Sequence, residues 1–191
     1  MELHYPSAPQ KHEIVFGQVL SPGTPPYLET PSALEPRHIM LHPSDKWAYT
    51  SDEKGDSVSM FALANGRLSL QQTESTIPRK FDGGKNSTAR CEISPNGRFV
   101  YVANRGHDSI AAFSIDQDSG RLTALGQTPT EKTPRSFTID STGRFLYSAG
   151  QDSGRVAAYR IQADGRLKTI ASFESGPVSW SVLAVDTEPK P

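Results

Sequence analysis

Three segments of this chain are copies of one another, and this internal repeat constrains the fold more than any other feature. The copies begin at Pro36, Ser87 and Thr133. Their landmark tyrosines, Tyr49, Tyr101 and Tyr147, are 52 and 46 residues apart. Each copy ends near a Gly-Arg-Leu triplet, at residues 66–68, 120–122 and 165–167. Self-similarity at about 40–50 residues, with several short β-type runs per copy, is typical of β-propeller blades.

Each copy is predicted to contain four strands. In the second copy we expect them at residues 91–94, 99–103, 109–115 and 121–126. The run Phe99-Val100-Tyr101-Val102 is β-branched and aromatic throughout, as in a strand that is buried on both faces. The turn sequences SPNGR and DSTGR supply the glycines that tight hairpins need. The predicted fold is therefore all-β, a β-propeller with four-stranded antiparallel blades, with about three blades plus partial strands in this chain.

The repeat also predicts the domain organisation. Blades are expected at residues 36–76, 87–130 and 133–174 of a region spanning 36–185, with a partial blade at 177–185. Residues 1–35 are expected to form a partial outer strand and a proline-rich connector, and residues 186–191 a polar tail. A closed propeller needs about four to eight blades. Three blades expose unpaired edges, so we expect either a part of a longer ring or self-association through the open blade edges.

Composition excludes several functional classes. The net charge of −1 and a pI of 6.5 show no basic excess for binding nucleic acid or an anionic membrane. No apolar run is long enough to span a bilayer, and the N-terminus lacks the apolar stretch of a signal peptide. The single cysteine, Cys91, cannot form an internal disulfide, and no Cys/His metal spacing occurs. We expect a cytoplasmic location, with no metal and no cofactor.

Ionisable side chains are concentrated on one face of the predicted blades. In an antiparallel pair, the start of the first strand and the end of the second share a face. The starts are Pro36-Arg37-His38, Ala89-Arg90-Cys91 and Pro134-Arg135-Ser136, and the ends are Ser51-Asp52-Glu53, residues 104–108 and Gly150-Gln151-Asp152. Arginine donates paired hydrogen bonds to phosphate or carboxylate, and His and Glu transfer protons near neutral pH. This rim therefore suits a small anionic substrate.

Structural roles are the alternative for many of these residues. Arg37 and Arg135 could serve only in salt bridges to Glu53 or Asp108 between blades. Several other residues are assigned to structure rather than chemistry: turn caps at Asp108-Ser109 and Asp152-Ser153, a structural His42, a buried unreactive Cys91, and core tryptophans at Trp47 and Trp180.

The repeats resemble the lactonase family of seven-bladed β-propellers. The resemblance is carried by PRHIMLHP, SDEKGDSV, NRGHDSIAAF, TPRSFTID and GQDSGRVAAYRI. It runs from about residue 30 to the end and is similar to the C-terminal half of the bacterial cycloisomerase-type 6-phosphogluconolactonases in that family. This implies hydrolysis of 6-phosphoglucono-1,5-lactone to 6-phosphogluconate in the pentose phosphate pathway, without a metal. The alternatives are the muconate-lactonising branch of the same fold and a non-catalytic propeller fragment.

The resemblance also implies site residues. The catalytic residues would be Glu53 and His38, one of which is the general base, and the substrate-binding residues would be Arg37, Arg105, His107, Arg135 and Gln151. Water would add to the lactone carbonyl while the arginines hold the phosphate and the developing oxyanion. One position departs from the family: Arg90 stands where an acidic residue is usual, which alters the charge that the rim offers a substrate.

Overall fold

The computed structural model describes residues 27–31 and 33–185, and within them it contains twelve strands and no helix. The strands form three four-stranded antiparallel sheets, each in sequential order. The first blade contains β1 (Pro36–Leu41), β2 (Trp47–Asp52), β3 (Ser57–Ala64) and β4 (Arg67–Ser75). The second contains β5 (Ser87–Ile93), β6 (Phe99–Arg105), β7 (Ser109–Ile115) and β8 (Leu122–Pro129). The third contains β9 (Pro134–Ile139), β10 (Phe145–Gly150), β11 (Arg155–Ile161) and β12 (Leu167–Glu174).

The predicted all-β blade architecture is confirmed. The first strands lie side by side, since β1 contacts β5 and β5 contacts β9, whereas the outermost β4 and β8 approach each other less. Each blade therefore has its first strand innermost. Strand β5 begins at Ser87, earlier than the predicted residue 91. Its first residues look polar in the sequence, but they pair with Asn104 and Arg105 at the end of β6.

Strand β6 shows why the blades stack. Val100 and Val102 pack into the cluster shared with the first blade. Phe99, Tyr101 and Ala103 pack into the cluster shared with the third blade. Successive side chains of a strand point to opposite faces, so one continuous apolar run serves two interfaces. Burial of each large side chain contributes about 1.5–3 kcal/mol to folding.

The recurring Tyr and Gly-Arg-Leu landmarks meet between blades. The hydroxyl of Tyr49 donates to the carbonyl of Gly120 in the second blade at 2.7 Å. Gly120 has a φ of +74°, and a β-carbon there would lie 2.5 Å from the Trp47 ring. The repeat therefore needs a glycine for both backbone conformation and close approach.

The third blade has no blade on its far side within the described residues. Phe145, Tyr147 and Val156 are only partly buried, although their counterparts in the other two blades are almost fully buried. Phe173, which pairs with Val156 in the sheet, is 57% exposed. This open face has the residues of a blade interface but no partner in this part of the chain.

Residues after the third blade differ from the prediction. The structure has no strand between residues 175 and 185, where the first strand of a partial blade was expected at 177–185. An innermost strand needs a second strand to accept its hydrogen bonds, and none follows in the described residues. Trp180, expected in the core, is 55% exposed, so that assignment was wrong. The expected outer strand at residues 12–20 and the tail at 186–191 lie outside the described residues.

Candidate functional site

The strand registers assemble the rim that the sequence predicted. Pro36 pairs with Asp52, Ser87 with Arg105, and Pro134 with Gly150. The start of each innermost strand therefore lies beside the end of the second strand. Blades also join at this level, because the backbone N–H of Thr88 donates to the carbonyl of Glu53 at 3.2 Å.

A β-bulge lies at the start of each innermost strand. In β1, Pro36 pairs with Asp52 and His38 with Ser51, which leaves Arg37 as the extra residue. The same shift leaves Arg135 extra in β9. Neighbouring side chains of a regular strand point apart, whereas Arg37 Nη1 lies 3.0 Å from His38 Nε2. The bulge thus turns two chemically active side chains toward one another, which the sequence did not predict.

Glu53 is the centre of a charged cluster. Its Oε2 lies 3.3 Å from Nε of Arg37, and its Oε1 accepts a short hydrogen bond from Nη2 of Arg105. The same Nη2 donates to the carbonyl of Thr88 at 3.0 Å. The salt bridge to Arg37 lies within one blade, whereas that to Arg105 joins two blades. An ionised carboxylate offers about four acceptor positions, so Glu53, whose side chain is 37% exposed, can still accept from a ligand.

His38 is held in its neutral form. Burial, and then the positive charges of Arg37 and Arg90, lower the pKa of His38 to about 4, while Glu53 opposes them. A guanidinium can only donate hydrogen bonds, so Nε2 of His38 accepts from Arg37. The neutral ring therefore carries its proton on Nδ1, which makes His38 a hydrogen-bond donor from that atom.

The buried carboxylate of Asp52 lies next to Glu53 and stabilises this part of the rim. Asp52 is fully buried and accepts hydrogen bonds from Thr50 at 2.7 Å, Ser57 at 2.8 Å and Ser59 at 2.6 Å. Burial raises the pKa of Asp52, and the three hydroxyl donors oppose that rise. Because Asp52 immediately precedes Glu53, this network fixes the backbone that presents Glu53. The Ser and Thr residues of β2 and β3 were the only indication of this network in the sequence.

His107 occupies a separate part of the rim, on the loop between β6 and β7. Its ring contacts the edge of Phe81 at a centroid distance of 4.9 Å, and its Nδ1 lies 2.7 Å from the hydroxyl of Ser109. Its backbone N–H donates to Asn86 at 3.0 Å. Among the described residues its Nε2 atom has no hydrogen-bond partner, so this polar end could bind a ligand.

Arg135 and Gln151 belong to the third blade. The guanidinium carbon of Arg135 lies 4.3 Å from the centre of the Trp180 ring, a cation–π contact. Gln151 is held through its backbone N–H, which donates to Thr133 at 3.0 Å. It lines an open groove of about 660 Å³ with Asp152, Arg155 and Glu174, among others. The predicted site residues thus fall into a cluster around Glu53 and flanking positions at His107, Arg135 and Gln151.

The structural assignments from the sequence are largely confirmed. Asp108 caps its turn by accepting from the N–H groups of Gly106 and Thr133. His42 donates from Nε2 to the carbonyl of Gly97 and accepts the N–H of Ser44 at Nδ1, so its ring is satisfied inside the fold. Cys91 is fully buried, and burial raises the pKa of its thiol, which disfavours a nucleophilic role.

Two features are absent from the residues that the structure describes. No three of their His, Cys, Asp and Glu side chains are grouped so that they could hold a metal ion. None of their segments forms a helix that could cross a membrane.

The sequence of this chain is similar to those of known lactonases. A family model described as "Lactonase, 7-bladed beta-propeller" matches residues 15–183. The 6-phosphogluconolactonase of Serratia proteamaculans is 39% identical over 170 residues, which cover 86% of this chain and 51% of that protein. The 6-phosphogluconolactonase of Bacillus subtilis is 38% identical over 146 residues, covering 74% of this chain and 42% of that protein. The chain thus spans about half the length of these relatives.

Solved structures are similar over a comparable share of this chain. A periplasmic gluconolactonase from Pseudomonas aeruginosa has a TM-score of 0.78 at 31% identity, covering 86% of this chain and 46% of that one. A protein from Lactobacillus plantarum has a TM-score of 0.79 at 25% identity, covering 86% of this chain and 48% of that one. This chain therefore corresponds to slightly less than half of each of these structures.

Proposed function

Because this chain belongs to the lactonase family of seven-bladed β-propellers, we propose that it carries the substrate-binding rim of a 6-phosphogluconolactonase. The reaction is hydrolysis of 6-phosphoglucono-1,5-lactone to 6-phosphogluconate. One observation carries the proposal: Glu53 is shared by Arg37 and Arg105, beside a neutral His38. A carboxylate, two forked cations and an imidazole are the groups that hydrolysis of an anionic lactone needs.

The roles follow from which atoms are still available. Glu53 is the general base, since its half-exposed carboxylate can accept a proton from the attacking water. His38 is the less suitable base, because its Nε2 already accepts from Arg37. Its Nδ1–H instead donates to the substrate. Arg37 and Arg105 stabilise the negative charge that develops on the carbonyl oxygen.

Hydrolysis proceeds through a tetrahedral intermediate. The water oxygen adds to the lactone carbonyl carbon, and its proton moves to Glu53. The tetrahedral intermediate then collapses, the bond between this carbon and the ring oxygen breaks, and the ring oxygen leaves as a hydroxyl with the proton returned from Glu53. The carboxylic acid product ionises in water. Arg135, His107 and Gln151 bind the remainder of the substrate.

Hydrolysis measured on the purified chain tests this proposal. Lactone loss would be followed by proton release, with the spontaneous rate subtracted. Glu53→Gln should slow the reaction by about 10²–10⁴ while leaving product affinity nearly intact. His38→Gln should slow it less. A larger loss from His38→Gln, with full activity in Glu53→Gln, would transfer the base role to His38. Absence of catalysis and of 6-phosphogluconate binding would support the non-catalytic alternative.

A second candidate substrate is the unphosphorylated gluconolactone, because a structural relative is described as a periplasmic gluconolactonase. The two lactones differ only in the phosphate. The ratio of kcat/KM for the phosphorylated and unphosphorylated lactones therefore separates these two candidates. Turnover of a muconate lactone would instead identify the muconate-lactonising alternative.

The open face of the third blade, formed by Phe145, Tyr147, Val156 and Phe173, packs against another blade, so the isolated chain self-associates.

The reaction takes place in the cytoplasm. A single unpaired cysteine is compatible with the reducing environment there, and so is 6-phosphogluconate metabolism.

A further inference from the structure

Arg90 occupies a position on the rim that the proposed mechanism does not use. In β5, Thr88 pairs with Asn104 and Cys91 with Val102, so Ala89 and Arg90 together face Ala103 across the bulge. When positions are counted from the bulge in each strand, Arg90 in β5 corresponds to His38 in β1. Its positive charge is among the causes that lower the pKa of His38, which indicates that the two side chains belong to one electrostatic site.

Glu92 holds Arg90 in place. The two residues lie on the same side of β5, because they are two positions apart, and Nε of Arg90 donates to Oε1 of Glu92 at 2.5 Å. The other oxygen, Oε2, accepts the backbone N–H of Ile139 in β9 at 2.9 Å. Glu92 is only 8% exposed. The arginine is therefore anchored at Nε by a carboxylate that is itself fixed between two blades.

The terminal nitrogens of Arg90 are uncommitted. Among the described residues, neither Nη1 nor Nη2 of Arg90 has a hydrogen-bond or ion-pair partner, and the side chain is 34% exposed. Arg37 and Arg105, in contrast, both donate to Glu53. A guanidinium fixed at Nε and free at both Nη atoms presents a pair of donors that matches a phosphate. Fixing the side chain in advance also reduces the entropy lost on binding.

We propose that Arg90 is a further substrate-binding residue, positioned by Glu92, and that it holds the phosphate group of the sugar substrate. The inference rests on the proposed function, since it assigns one group of that substrate to one residue. It leaves Arg37 and Arg105 for the reacting carbonyl beside Glu53. A phosphate carries more negative charge than the carbonyl. It therefore gains most from a cation whose Nη atoms are not already paired with a carboxylate of the protein.

Titration calorimetry of the full chain with 6-phosphogluconate and with gluconate tests the assignment, because the ligands differ only in the phosphate. Arg90→Gln should weaken 6-phosphogluconate binding about ten- to a hundredfold and change gluconate binding by less than about twofold. Arg90→Lys should recover part of the loss. Glu92→Gln keeps an acceptor for Ile139 and should give a smaller loss, again only with the phosphorylated ligand. Arg98→Gln, in the turn before β6, is the matched control and should change neither affinity.

The outcomes separate this inference from the proposed function. Unchanged 6-phosphogluconate affinity in Arg90→Gln would overturn the inference alone. Equal losses with both ligands, or a lowered melting temperature that accounts for them, would show a structural role and also overturn it. A wild-type chain that binds gluconate but gains nothing from the phosphate would overturn it in favour of the unphosphorylated substrate. A wild-type chain that binds neither ligand would overturn both.

Discussion

The hydroxyl of Tyr101 donates to the carbonyl of Gly165 across the interface between the second and third blades, at 2.9 Å. Tyr49 and Gly120 make the same contact one interface earlier. Each bond joins the second strand of one blade to the Gly-Arg-Leu turn of the next. The two most regular landmarks of the sequence repeat are thus the two halves of one contact between blades.

Loss of this hydroxyl should destabilise the stack. Tyr101→Phe leaves a buried carbonyl without its donor, which costs about 1–3 kcal/mol of unfolding free energy. Tyr147 has no partner for its hydroxyl within the described residues and is only partly buried, so Tyr147→Phe is the matched control and should change stability by less than about 0.5 kcal/mol. Urea denaturation measures both. Equal effects would show that the bond does not stabilise the interface.

The loop that carries His107 should depend on Gly106. This glycine has a φ of +118°, and a β-carbon there would lie 2.3 Å from the carbonyl oxygen of Lys85. Gly106→Ala should therefore displace the loop and destabilise the chain by more than about 1 kcal/mol. Gly84→Ala, at a φ of +91° in open space, controls for backbone strain alone. A crystal structure or the His107 NMR signals would report the displacement, and an unshifted His107 would contradict it.

Charges on the two faces of the blades should differ in their effect on ligand binding. Arg105→Ala should weaken binding of 6-phosphogluconate about ten- to a hundredfold, as for a charged hydrogen bond to an anion. Arg135→Ala should act in the same direction. The controls are Arg121→Ala and Arg166→Ala in the Gly-Arg-Leu turns, which are exposed and should leave affinity unchanged. Comparable losses from all four variants in calorimetric titrations would indicate a general effect on stability.

The neutral state of His38 should make stability depend on pH. Its pKa of about 4 lies below the value of 6.5 in an unfolded chain, so the unfolded state binds a proton more readily. Stability is therefore complete above pH 6.5 and falls as the pH drops from 6.5 toward 4. Each pKa unit corresponds to about 1.4 kcal/mol, and solvent screening of this partly exposed ring reduces the total to about 1–2 kcal/mol.

A comparison of the wild type with His38→Gln isolates the contribution of His38 to the pH dependence of stability. Glu92 and Asp52 have pKa values raised by burial, so their contributions in acid have the opposite sign. His38→Gln should remove the part due to the imidazole, which denaturation at pH 7 and pH 4.5 would detect. By NMR, Arg90→Gln should raise the pKa of His38, since it removes one of the two arginine side chains that lower it. An unchanged slope in His38→Gln would assign the pH dependence to other groups.

The open face of the third blade should cause association. Sedimentation should show larger species as concentration rises, because no blade within the described residues covers Phe145, Tyr147 and Phe173. Phe173→Lys should reduce association, and Arg121→Glu, in an exposed turn of the second blade, should not. A monomer at every concentration would contradict the proposal that this face packs against another blade.

The sequence alone determined the blades and the location of the rim. Strand and turn signals are local: the continuous apolar run Phe99–Val102 indicates a strand buried on both faces, and the Gly-containing turns specify hairpins. Repetition then shows that every copy has the same order. Because antiparallel pairing relates the end of one strand to the start of its neighbour, the face that carries Arg37, Glu53 and Arg105 could be predicted without coordinates.

Only the tertiary structure decided which of these charges meet. The bulge that brings Arg37 to His38 is a register shift with no clear residue signal. The sharing of Glu53 by Arg37 and Arg105 depends on how two blades are placed, and so does the link from Glu92 to Ile139. The core position expected for Trp180 would need a neighbouring strand, which the described residues do not supply. Composition and periodicity describe single strands, whereas contacts between residues about fifty positions apart depend on how the sheets pack.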